Sequence, residues 1–402
     1  MAIMMETAME LSELIQHLAS RAPGFARRLT EAGLRPDSIR TPDDLNALPV
    51  IRKDNLVEMQ AADPPFGGFL ACEAGELKRI FQSPGPIYDP ESRVSDYWRW
   101  KPALEAATFA RGDLVINCFG YHLTPAGAMF EEALWALGCA VIPGGVGSQE
   151  GQARLLHDLK ANGYVGLPSY LKALIEKTEE LGLKHTIQKA FFTAEPLPPS
   201  LRAWLKEHGV TVARQGYGTA ECGNLGYECE QENGWHLPED AIIQICDINS
   251  GQPLPPGASG EIVVSLLNKD YALIRFGTGD LSSLNTEACP CGRKSARLMG
   301  WQGRIGDAVK VRGMFLHPRQ LSDFLSRFPQ VKRWQAVITR LEHKDYLSLH
   351  IVPAPGAETA DLAATLARLG KEALKFQMEI EIVPEEQLPE NSPPIRDERS
   401  WE

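Results

Sequence analysis

The sequence has 402 residues, 44% of them apolar and 23% charged, which is the composition of an ordinary globular protein. A chain of this length usually forms more than one hydrophobic core, so two domains are expected. The formal net charge of −11 argues against nucleic acid and anionic membranes as partners. Residues 1–18 contain three acids and predict an amphipathic helix rather than a signal peptide, and no apolar run reaches the ~20 residues of a membrane span. The eight cysteines mostly stand singly in apolar segments, so a cytoplasmic protein with reduced thiols is expected.

The N-terminal part of the chain alternates the patterns of strands and helices. Strands are predicted at residues 114–120, 139–145 and 164–168, with helices between them at 126–138 and 152–163, the second ending at Gly163. Strand patterns at 189–196 and 211–218 continue the series. This βαβαβ order predicts a mostly parallel sheet that is covered by helices.

The pattern changes twice further along the chain. From residue 241, strand-like runs separated by turn residues predict a more antiparallel region. After residue 303, the order β-α-β-β-α-β over roughly 95 residues predicts a small α+β domain. The fold class is therefore α/β, with a large N-terminal domain of mixed or parallel sheet at residues 1–303 and a small C-terminal domain at residues 304–402.

Three cysteines and one histidine form the clearest metal pattern. Cys229 precedes His236 by seven residues, and Cys289 and Cys291 form a Cys-x-Cys pair further on. Three thiolates and one imidazole make the closed tetrahedral set of a structural zinc site, provided that the fold brings the two pairs together. The alternative is two unrelated pairs, or an inert thiol pair at the surface. The zinc interpretation defines a metal-binding β region at about residues 222–300.

Three charged residues stand at turns where a ligand could bind. Glu221 follows an aromatic-glycine turn at the end of a strand, which is where open α/β sheets place ligands. Asp280 closes a Gly-Thr-Gly turn, and Arg304 lies at the domain boundary, where glycines could serve as a hinge. By local pattern alone, each is more typical of a solvent-exposed turn, a common hairpin or an ordinary linker. His122, in an apolar loop, is by itself more typical of a hydrogen-bonded packing residue than of a base.

Taken in order, these segments resemble the phenylacetate-CoA ligase branch of the acyl-adenylate-forming enzymes. No single segment is specific to this family, but the ordered set is, and the resemblance extends over nearly the whole chain. The matching segments are residues 25–56, 119–145, 193–196, 217–221, the cysteine and histidine pattern, 274–281 and 303–321. The resemblance implies an acyl- or aryl-CoA synthetase that joins a carboxylate to CoA at the expense of ATP, through an acyl-AMP. It also implies a small C-terminal domain that rotates between the two half-reactions.

The resemblance assigns roles to the residues that match the family's motifs. Tyr217 and Gly218 would contact the adenylate, and Glu221 would hold Mg²⁺. Asp280 would accept hydrogen bonds from the ribose hydroxyls, and Arg304, at the hinge, would also reach the ribose. Of these, Glu221 and Arg304 would be catalytic.

Two further segments complete the implied site. Ala194, Glu195 and Pro196 would lie beside the adenine, and Tyr121 and His122 would wall the acyl pocket. The implied small molecules are ATP or AMP, Mg²⁺, CoA, and an aromatic or medium-sized carboxylate or its acyl-CoA. A homodimer or a protein partner is compatible with the resemblance, and neither nucleic acid nor a membrane is implied.

The segment that matches the family's phosphate loop departs from it. Within residues 83–90, Ser83 and Gly85 are kept, but Pro86 removes a backbone N–H and Asp89 replaces a lysine. One like-charge contact with phosphate at ~5 Å costs roughly 3 kcal/mol at an effective dielectric near 20. That cost would weaken ATP binding about a hundredfold.

The C-terminal tail departs as well. The family's adenylation lysine has no counterpart, because no lysine follows residue 375 and the nearby cation is Arg396, whose guanidinium does not replace a compact ammonium. The primary interpretation is an acyl-CoA ligase with an altered ATP site. The alternatives are a non-adenylating homologue that binds an acyl-CoA or nucleotide or serves as an accessory protein, and an acyl transferase that uses the thioester half-reaction alone.

Overall fold

The structure is a computed structural model. It describes residues 10–83, 85–258, 260–305, 309–312, 314–316, 318–374 and 376–400. The chain divides into two compact units, the first of Met1–Leu197 with Arg202–Ile305 and the second of Pro198–Leu201 with Gly306–Glu402. Within the described residues, no helix combines the length and the apolar character needed to cross a membrane.

The elements up to residue 305 follow three patterns. The chain begins with α1 (Leu11–Arg21), α2 (Pro23–Glu31), β1 (Ile51–Arg52), α3 (Lys53–Ala62), β2 (Arg79–Ser83) and β3 (Ile87–Glu91). Helices and strands then alternate through α4 (Lys101–Ala106), β4 (Leu114–Asn117), α5 (Ala126–Ala136), β5 (Ala140–Pro143), α6 (Gln149–Leu159), β6 (Gly163–Gly166), α7 (Pro168–Glu180), β7 (Lys189–Phe192), α8 (Pro199–Glu207) and β8 (Val212–Thr219). Strands alone follow: β9 (Gly223–Tyr227), β10 (Trp235–His236), β11 (Ala241–Cys246), β12 (Gly260–Leu266), β13 (Phe276–Ser282), β14 (Leu284–Asn285), β15 (Arg297–Leu298) and β16 (Gly303–Arg304).

The largest sheet of the first unit changes from parallel to antiparallel at β8. Its strand order is β14-β15-β10-β9-β8-β7-β6-β4-β5, and the pairs from β5 to β8 are parallel. Strand β8 pairs in parallel with β7 through residues 212–215 and antiparallel with β9 through residues 216–219. A second sheet has the order β1-β13-β12-β11, with β16 beside β13. The predicted α/β class is confirmed, including its antiparallel second part.

The central parallel strands β4, β6 and β7 are largely buried on both faces, whereas the edge strand β5 is partly exposed. All four residues of β6 are buried, which is the pattern of a central parallel strand. An aromatic cluster packs beneath the sheet, where the Phe130 ring lies 4.6 Å from Trp100 and 4.7 Å from Phe119 between ring centroids. Aromatic pairs at this separation add to the free energy that their buried area contributes.

Helix α6 ends before the predicted position. Lys160, rather than Gly163, takes the left-handed conformation after the helix, with φ of 52°. Gly163 instead opens β6, where a Cβ atom would lie 2.7 Å from the Phe109 ring and 2.9 Å from Val115. The glycine is therefore required by close packing of the strand, and its predicted role as a helix end is wrong.

A buried arginine of α2 holds the N-terminal helices to the segments that precede β1 and β13. Arg28 on α2 donates to the carbonyl oxygens of Ile274 and Pro49 at 2.9 and 2.7 Å, and burial lowers its pKa to about 9. Strand β1 pairs in parallel with β13, with Ile51 opposite Phe276. Helix α3 starts immediately after β1. Its first residue, Lys53, therefore lies next to the strand that pairs with β13.

The second unit contains one four-stranded sheet and a short hairpin. Its elements are β17 (Val309–Val311), β18 (Met314–Leu316), α9 (Pro318–Leu325), β19 (Val331–Leu341), β20 (Lys344–Pro353), α10 (Leu362–Leu374), β21 (Glu379–Ile382) and β22 (Ile395–Asp397). The sheet order is β21-β20-β19-β22, and both outer strands pair in parallel with their neighbours. Helices α9 and α10 contribute to the core of this unit.

Ion pairs inside the second unit converge on one buried carboxylate. Asp345 accepts from Arg340 at 2.9 Å and from Arg399 at 3.0 Å, and all three side chains are about 95% or more buried. The backbone N–H of Arg312 adds a hydrogen bond of 3.2 Å. A charge this deeply buried requires such partners, because the alternative is an uncompensated ion in the core.

Candidate functional site

A buried carboxylate on β13 is the centre of the first cluster. Asp280 accepts hydrogen bonds from the Tyr217 hydroxyl at 2.8 Å, Trp301 Nε1 at 3.1 Å and Arg304 Nε at 2.7 Å. Arg304 reaches it because Asp280 and Arg304 are paired residues of β13 and β16. Burial, and then the negative charge of Asp280, raise the pKa of Tyr217 well above its ordinary value, so the phenol remains a donor.

The structure therefore brings together three residues that the sequence predicted for one site. Trp301 was not predicted, although an indole just before the proposed hinge is a signal that could have been noted. Trp235 was also missed: its ring stacks on Tyr217 with centroids 5.7 Å apart and planes 8° from parallel. Trp235 and Trp301 thus add two aromatic side chains to the cluster around the Asp280–Arg304 ion pair.

Gly218 lies at a point of close approach that excludes a side chain. A Cβ atom there would be 2.3 Å from the carbonyl oxygen of Gly223 and 2.7 Å from the Trp100 ring. The register of β8 and β9 shifts between Tyr217 and Gly218, at the antiparallel half of β8. The glycine therefore lets β8 turn Tyr217 toward Asp280 while β9 packs closely behind it.

Glu221 forms a buried ion pair with a lysine that the sequence did not predict. Its carboxylate, in the turn between β8 and β9, lies 2.6 Å from Nζ of Lys53, the first residue of α3. Burial alone would raise the pKa of Glu221, but the charge and hydrogen bond of Lys53 outweigh it and hold the pKa below its ordinary value. No local pattern marks Lys53, because its partner comes from a distant part of the chain.

The phosphate-loop segment forms a tight hairpin of β2 and β3. Ser83 pairs with Ile87, Gly85 lies in the turn, and Asp89 pairs with Phe81. Pro84 lies outside the described residues. Serine, proline and glycine are common in turns, so the sequence of residues 83–86 favours a hairpin at this point.

Asp89 is buried rather than presented to solvent, with 1% of the residue exposed. Burial, and then the negative charge of Glu221, raise the pKa of Asp89 well above its ordinary value. The predicted cost of Asp89 against phosphate assumed an ionised and accessible carboxylate. The structure corrects that assumption, since the carboxylate is not accessible, its burial disfavours the ionised form, and the charges of Glu221 and Lys53 act on it.

The segment predicted to lie beside the adenine follows β7 directly. Ala194 has a positive φ of 74°, and Glu195 accepts a hydrogen bond of 2.6 Å from the Ser169 hydroxyl. Ala194 packs against the aromatic cluster, and Pro196 precedes the buried Leu197. The segment thus lies at the carboxyl end of the parallel strands, where such sheets bind ligands.

The two residues predicted for the acyl pocket lie in different environments. The Tyr121 hydroxyl accepts from Asn117 Nδ2 at 2.9 Å and donates to Glu131 at 3.5 Å, and burial raises its pKa. His122 is exposed. Tyr121 is therefore fixed at the end of β4, whereas His122 is free to face solvent or a bound molecule.

Arg396, the predicted replacement for the missing tail lysine, lies on β22 of the second unit. Its guanidinium is 2.9 Å from Glu398, and both side chains are about half exposed. This ion pair is of the weak surface type.

The four predicted metal ligands form one cluster. The ligand atoms of Cys229, His236, Cys289 and Cys291 lie within 4.8 Å of one another. The sulfur atoms of Cys229 and Cys289 are 3.8 Å apart, and Cys291 Sγ is 3.3 Å from His236 Nε2. A tetrahedral zinc with Zn–S bonds near 2.3 Å places two thiolates about 3.8 Å apart, so this donor set fits zinc.

Neighbouring groups orient the cluster. His236 Nδ1 hydrogen bonds with the Ser295 hydroxyl at 3.1 Å, which leaves Nε2 directed at the sulfur atoms. The backbone N–H groups of Gln231 and Arg293 donate to Cys229 and Cys291, each at 3.4 Å. Hydrogen bonds of this kind stabilise thiolates and fix the histidine ring in metal sites.

The chain is similar to proteins of known function. A family model described as AMP-binding enzyme matches residues 110–266. A phenylacetate-coenzyme A ligase of Thermus thermophilus is 30% identical over 349 residues, which cover 83% of this chain and 77% of the relative. The chain belongs to the phenylacetate-coenzyme A ligase family. The predicted resemblance is thereby confirmed.

Other members of the phenylacetate-coenzyme A ligase family extend the match. The enzyme of Aromatoleum evansii is 27% identical over 384 residues, covering 91% of this chain and 86% of its own. Among solved structures, 2-hydroxyisobutyryl-CoA ligase in complex with 2-HIB-AMP and CoA has a TM-score of 0.85 at 24% identity. That match covers 98% of this chain and 89% of the other, and it confirms the fold.

Proposed function

We propose that the protein is an acyl-CoA ligase that converts a carboxylic acid, ATP and CoA into an acyl-CoA, AMP and pyrophosphate. The observation that carries the proposal is the Asp280 cluster, in which Tyr217 and Arg304 converge on one buried carboxylate in a chain of this family. The non-adenylating alternative gains no support from the relatives, whose names describe ligases.

The chemistry has two half-reactions that balance. A carboxylate oxygen of the acid attacks the α-phosphorus of ATP, the bond to pyrophosphate breaks, and an acyl-AMP forms. The sulfur of CoA then attacks the acyl carbon, the thiol proton passes to solvent, and AMP leaves. Both steps depend on holding the adenylate still, because fixed geometry supplies much of the rate enhancement of group transfer.

The residues of the site divide these tasks. We assign the ribose hydroxyls to Asp280, with Arg304 placed to share them, and the face of the adenine to Tyr217. Glu221 would hold Mg²⁺, since a buried carboxylate suits a hard cation that neutralises phosphate charge. Lys53 carries a fixed positive charge 2.6 Å from Glu221, so the site retains a cation although the phosphate loop has lost one.

We infer a structural zinc at the Cys229–His236–Cys289–Cys291 cluster. The donor set and spacing fit a tetrahedral ion, and three thiolates plus an imidazole leave no coordination position for catalysis. The zinc would fix the antiparallel edge of the large sheet behind Tyr217.

The test is a direct assay of the purified protein. Mg-ATP and CoA are supplied with a panel of arylacetic, benzoic and short hydroxy acids, and acyl-CoA and AMP are measured by mass spectrometry. At least one acid should yield equal amounts of both products, and omission of CoA should leave acyl-AMP and pyrophosphate. Binding of AMP or CoA in calorimetry, with no ATP turnover across the panel, would overturn the proposal in favour of the non-adenylating alternative.

A further inference from the structure

A second carboxyl group lies beside Glu221 in the interior of the first unit. Asp89 and Glu221 are 1% and 5% exposed, and their negative charges act on each other. Both also interact with the single ammonium group of Lys53. Lys53 balances the charge of Glu221, so ionisation of Asp89 would add a buried negative charge that requires a further cation.

Neighbouring oxygen atoms in this cluster lack hydrogen-bond partners. In the part of the chain that the structure describes, Asp89 Oδ2, the Ser83 hydroxyl and the Tyr271 hydroxyl are buried and make no hydrogen bond of full geometry, although Ser83 is close enough to Asp89, and Gln60 to Tyr271, to oppose the rise in the pKa of each acid. Ser83 and Asp89 point to the same face of the β2–β3 hairpin, since their register partners are Ile87 and Phe81. Tyr271 lies near enough to feel the charge of Asp89. Native interiors rarely leave such atoms unpaired unless they bind an ion or water.

We propose that Asp89 and Glu221, with the Ser83 hydroxyl, form a two-carboxylate site for a divalent cation such as Mg²⁺ or Mn²⁺ that binds without nucleotide. Oxygen atoms of carboxylates and hydroxyls are the ligands that these hard cations prefer. Lys53 is the competing counter-ion, because its ammonium lies 2.6 Å from the carboxylate oxygen that the metal would use.

Asp89 would then contribute to binding as a metal ligand. The family's lysine at this position supplies one fixed positive charge, whereas an aspartate can supply a metal ligand and so bring in a doubly charged cation. The use of that cation against phosphate rests on the proposed ligase function. The metal site itself does not, because it is built from protein groups alone.

The experiment titrates Mn²⁺ into nucleotide-free protein and follows the signal of free Mn²⁺ by electron paramagnetic resonance. The wild type should bind one Mn²⁺ at this site. Asp89→Asn should weaken binding at least tenfold, and Lys53→Met should strengthen it several-fold by removing the competitor. Asp54→Asn, an exposed acid next to Lys53, is the matched control and should bind as the wild type does.

Ser83→Ala supplies a second variant that leaves both carboxylates in place, and it should weaken Mn²⁺ binding by a smaller factor. Thermal unfolding of each variant shows that it is folded. Equal Mn²⁺ affinity in wild type and Asp89→Asn would overturn the proposal, whether or not the protein is a ligase. Loss of binding in Asp89→Asn would support it even if no acid on the panel is activated.

Discussion

Asp280 is the residue on which the candidate nucleotide site depends most. Three donors from two segments of the chain meet on its carboxylate, and the arginine among them forms a charge-assisted hydrogen bond. Such bonds hold the carboxylate in one orientation before a ligand arrives, which reduces the entropy that binding must cost. The remaining acceptor capacity of the two oxygens is available to the hydroxyl groups of a bound ribose.

The change Asp280→Asn should therefore weaken AMP binding about tenfold or more. The amide keeps the size of the side chain but turns one acceptor into a donor and removes the charge, which is worth roughly 1.5–3 kcal/mol for a charged hydrogen bond. Isothermal titration with AMP measures the effect, and Asp240→Asn, at an exposed position, is the control. Unchanged AMP affinity in Asp280→Asn would remove Asp280 from the nucleotide site.

At this scale the sequence predicted some partners and missed others for a physical reason. Tyr217, Asp280 and Arg304 each lie in a sequence motif that resembles one of the family. Lys53 and Trp235 have no motif, and their roles arise only when strands pair and place them beside Glu221 and Tyr217. The burial of Asp89 was missed for the same reason, because neighbours distant in sequence enclose it.

At the scale of elements, the pairing of short strands explains how the cysteine and histidine side chains come together. Strand β10 pairs with β15, with His236 opposite Arg297, and this brings the loop of Cys289 and Cys291 to the segment that contains Cys229. The sequence predicted the identity of the four ligands, three cysteines and one histidine, and their preference for zinc. The approach of the two pairs could not be predicted, because it depends on a register between strands of only two residues each.

The change Cys289→Ser should release the proposed zinc and loosen this edge of the sheet. Loss of several kcal/mol at a metal site corresponds to a fall in Tm of about 10 °C for a unit of this size. Metal content by plasma mass spectrometry and thermal unfolding measure the two effects. Cys72→Ser, outside the cluster and only partly buried, should keep one zinc per chain and the wild-type Tm. A wild-type protein that is purified and refolded with zinc yet binds none would contradict the assignment.

Strand and helix positions were predictable where periodicity and turn residues agree. The helix predicted at 126–138 is observed as α5, and the strand predicted at 211–218 is observed as β8. The end of α6 was not predictable from composition, because Gly163 is required for packing against Phe109 rather than for the turn of the backbone. Tertiary contacts thus override local preference at single positions while leaving the order of elements intact.

At the scale of the whole molecule, each unit carries its own core and its own buried charges. The second unit depends on the ion pairs of Asp345 with Arg340 and Arg399, which join β19 and β20 to the end of the chain. The sequence predicted the α+β character of this unit from its order of strands and helices. It did not predict the ion pairs, since surface and interior arginines are alike in sequence.

The change Asp345→Ala should lower the free energy of unfolding of the second unit by about 3 kcal/mol, because Arg340 and Arg399 lose a buried carboxylate and Arg399 keeps its ion pair with Asp397. Hydrogen exchange followed by mass spectrometry should show faster exchange in peptides from residues 331–353 and little change in those from residues 114–192. Glu358→Ala, at an exposed position outside the helices, is the control. Equal protection in Asp345→Ala and wild type would show that the ion pairs contribute nothing to this unit.

The parallel pairing of β1 with β13 has a consequence for the order in which a ribosome releases the parts of this fold. Helices α1 and α2 and strand β1 are synthesised first, but β13, against which they pack, starts only at Phe276. At ordinary rates of translation, roughly 10–45 s separate the two events. During that interval the apolar side chains of Leu14, Leu18 and Phe25 have no completed core to enter, so the nascent N-terminus is a natural substrate for chaperones.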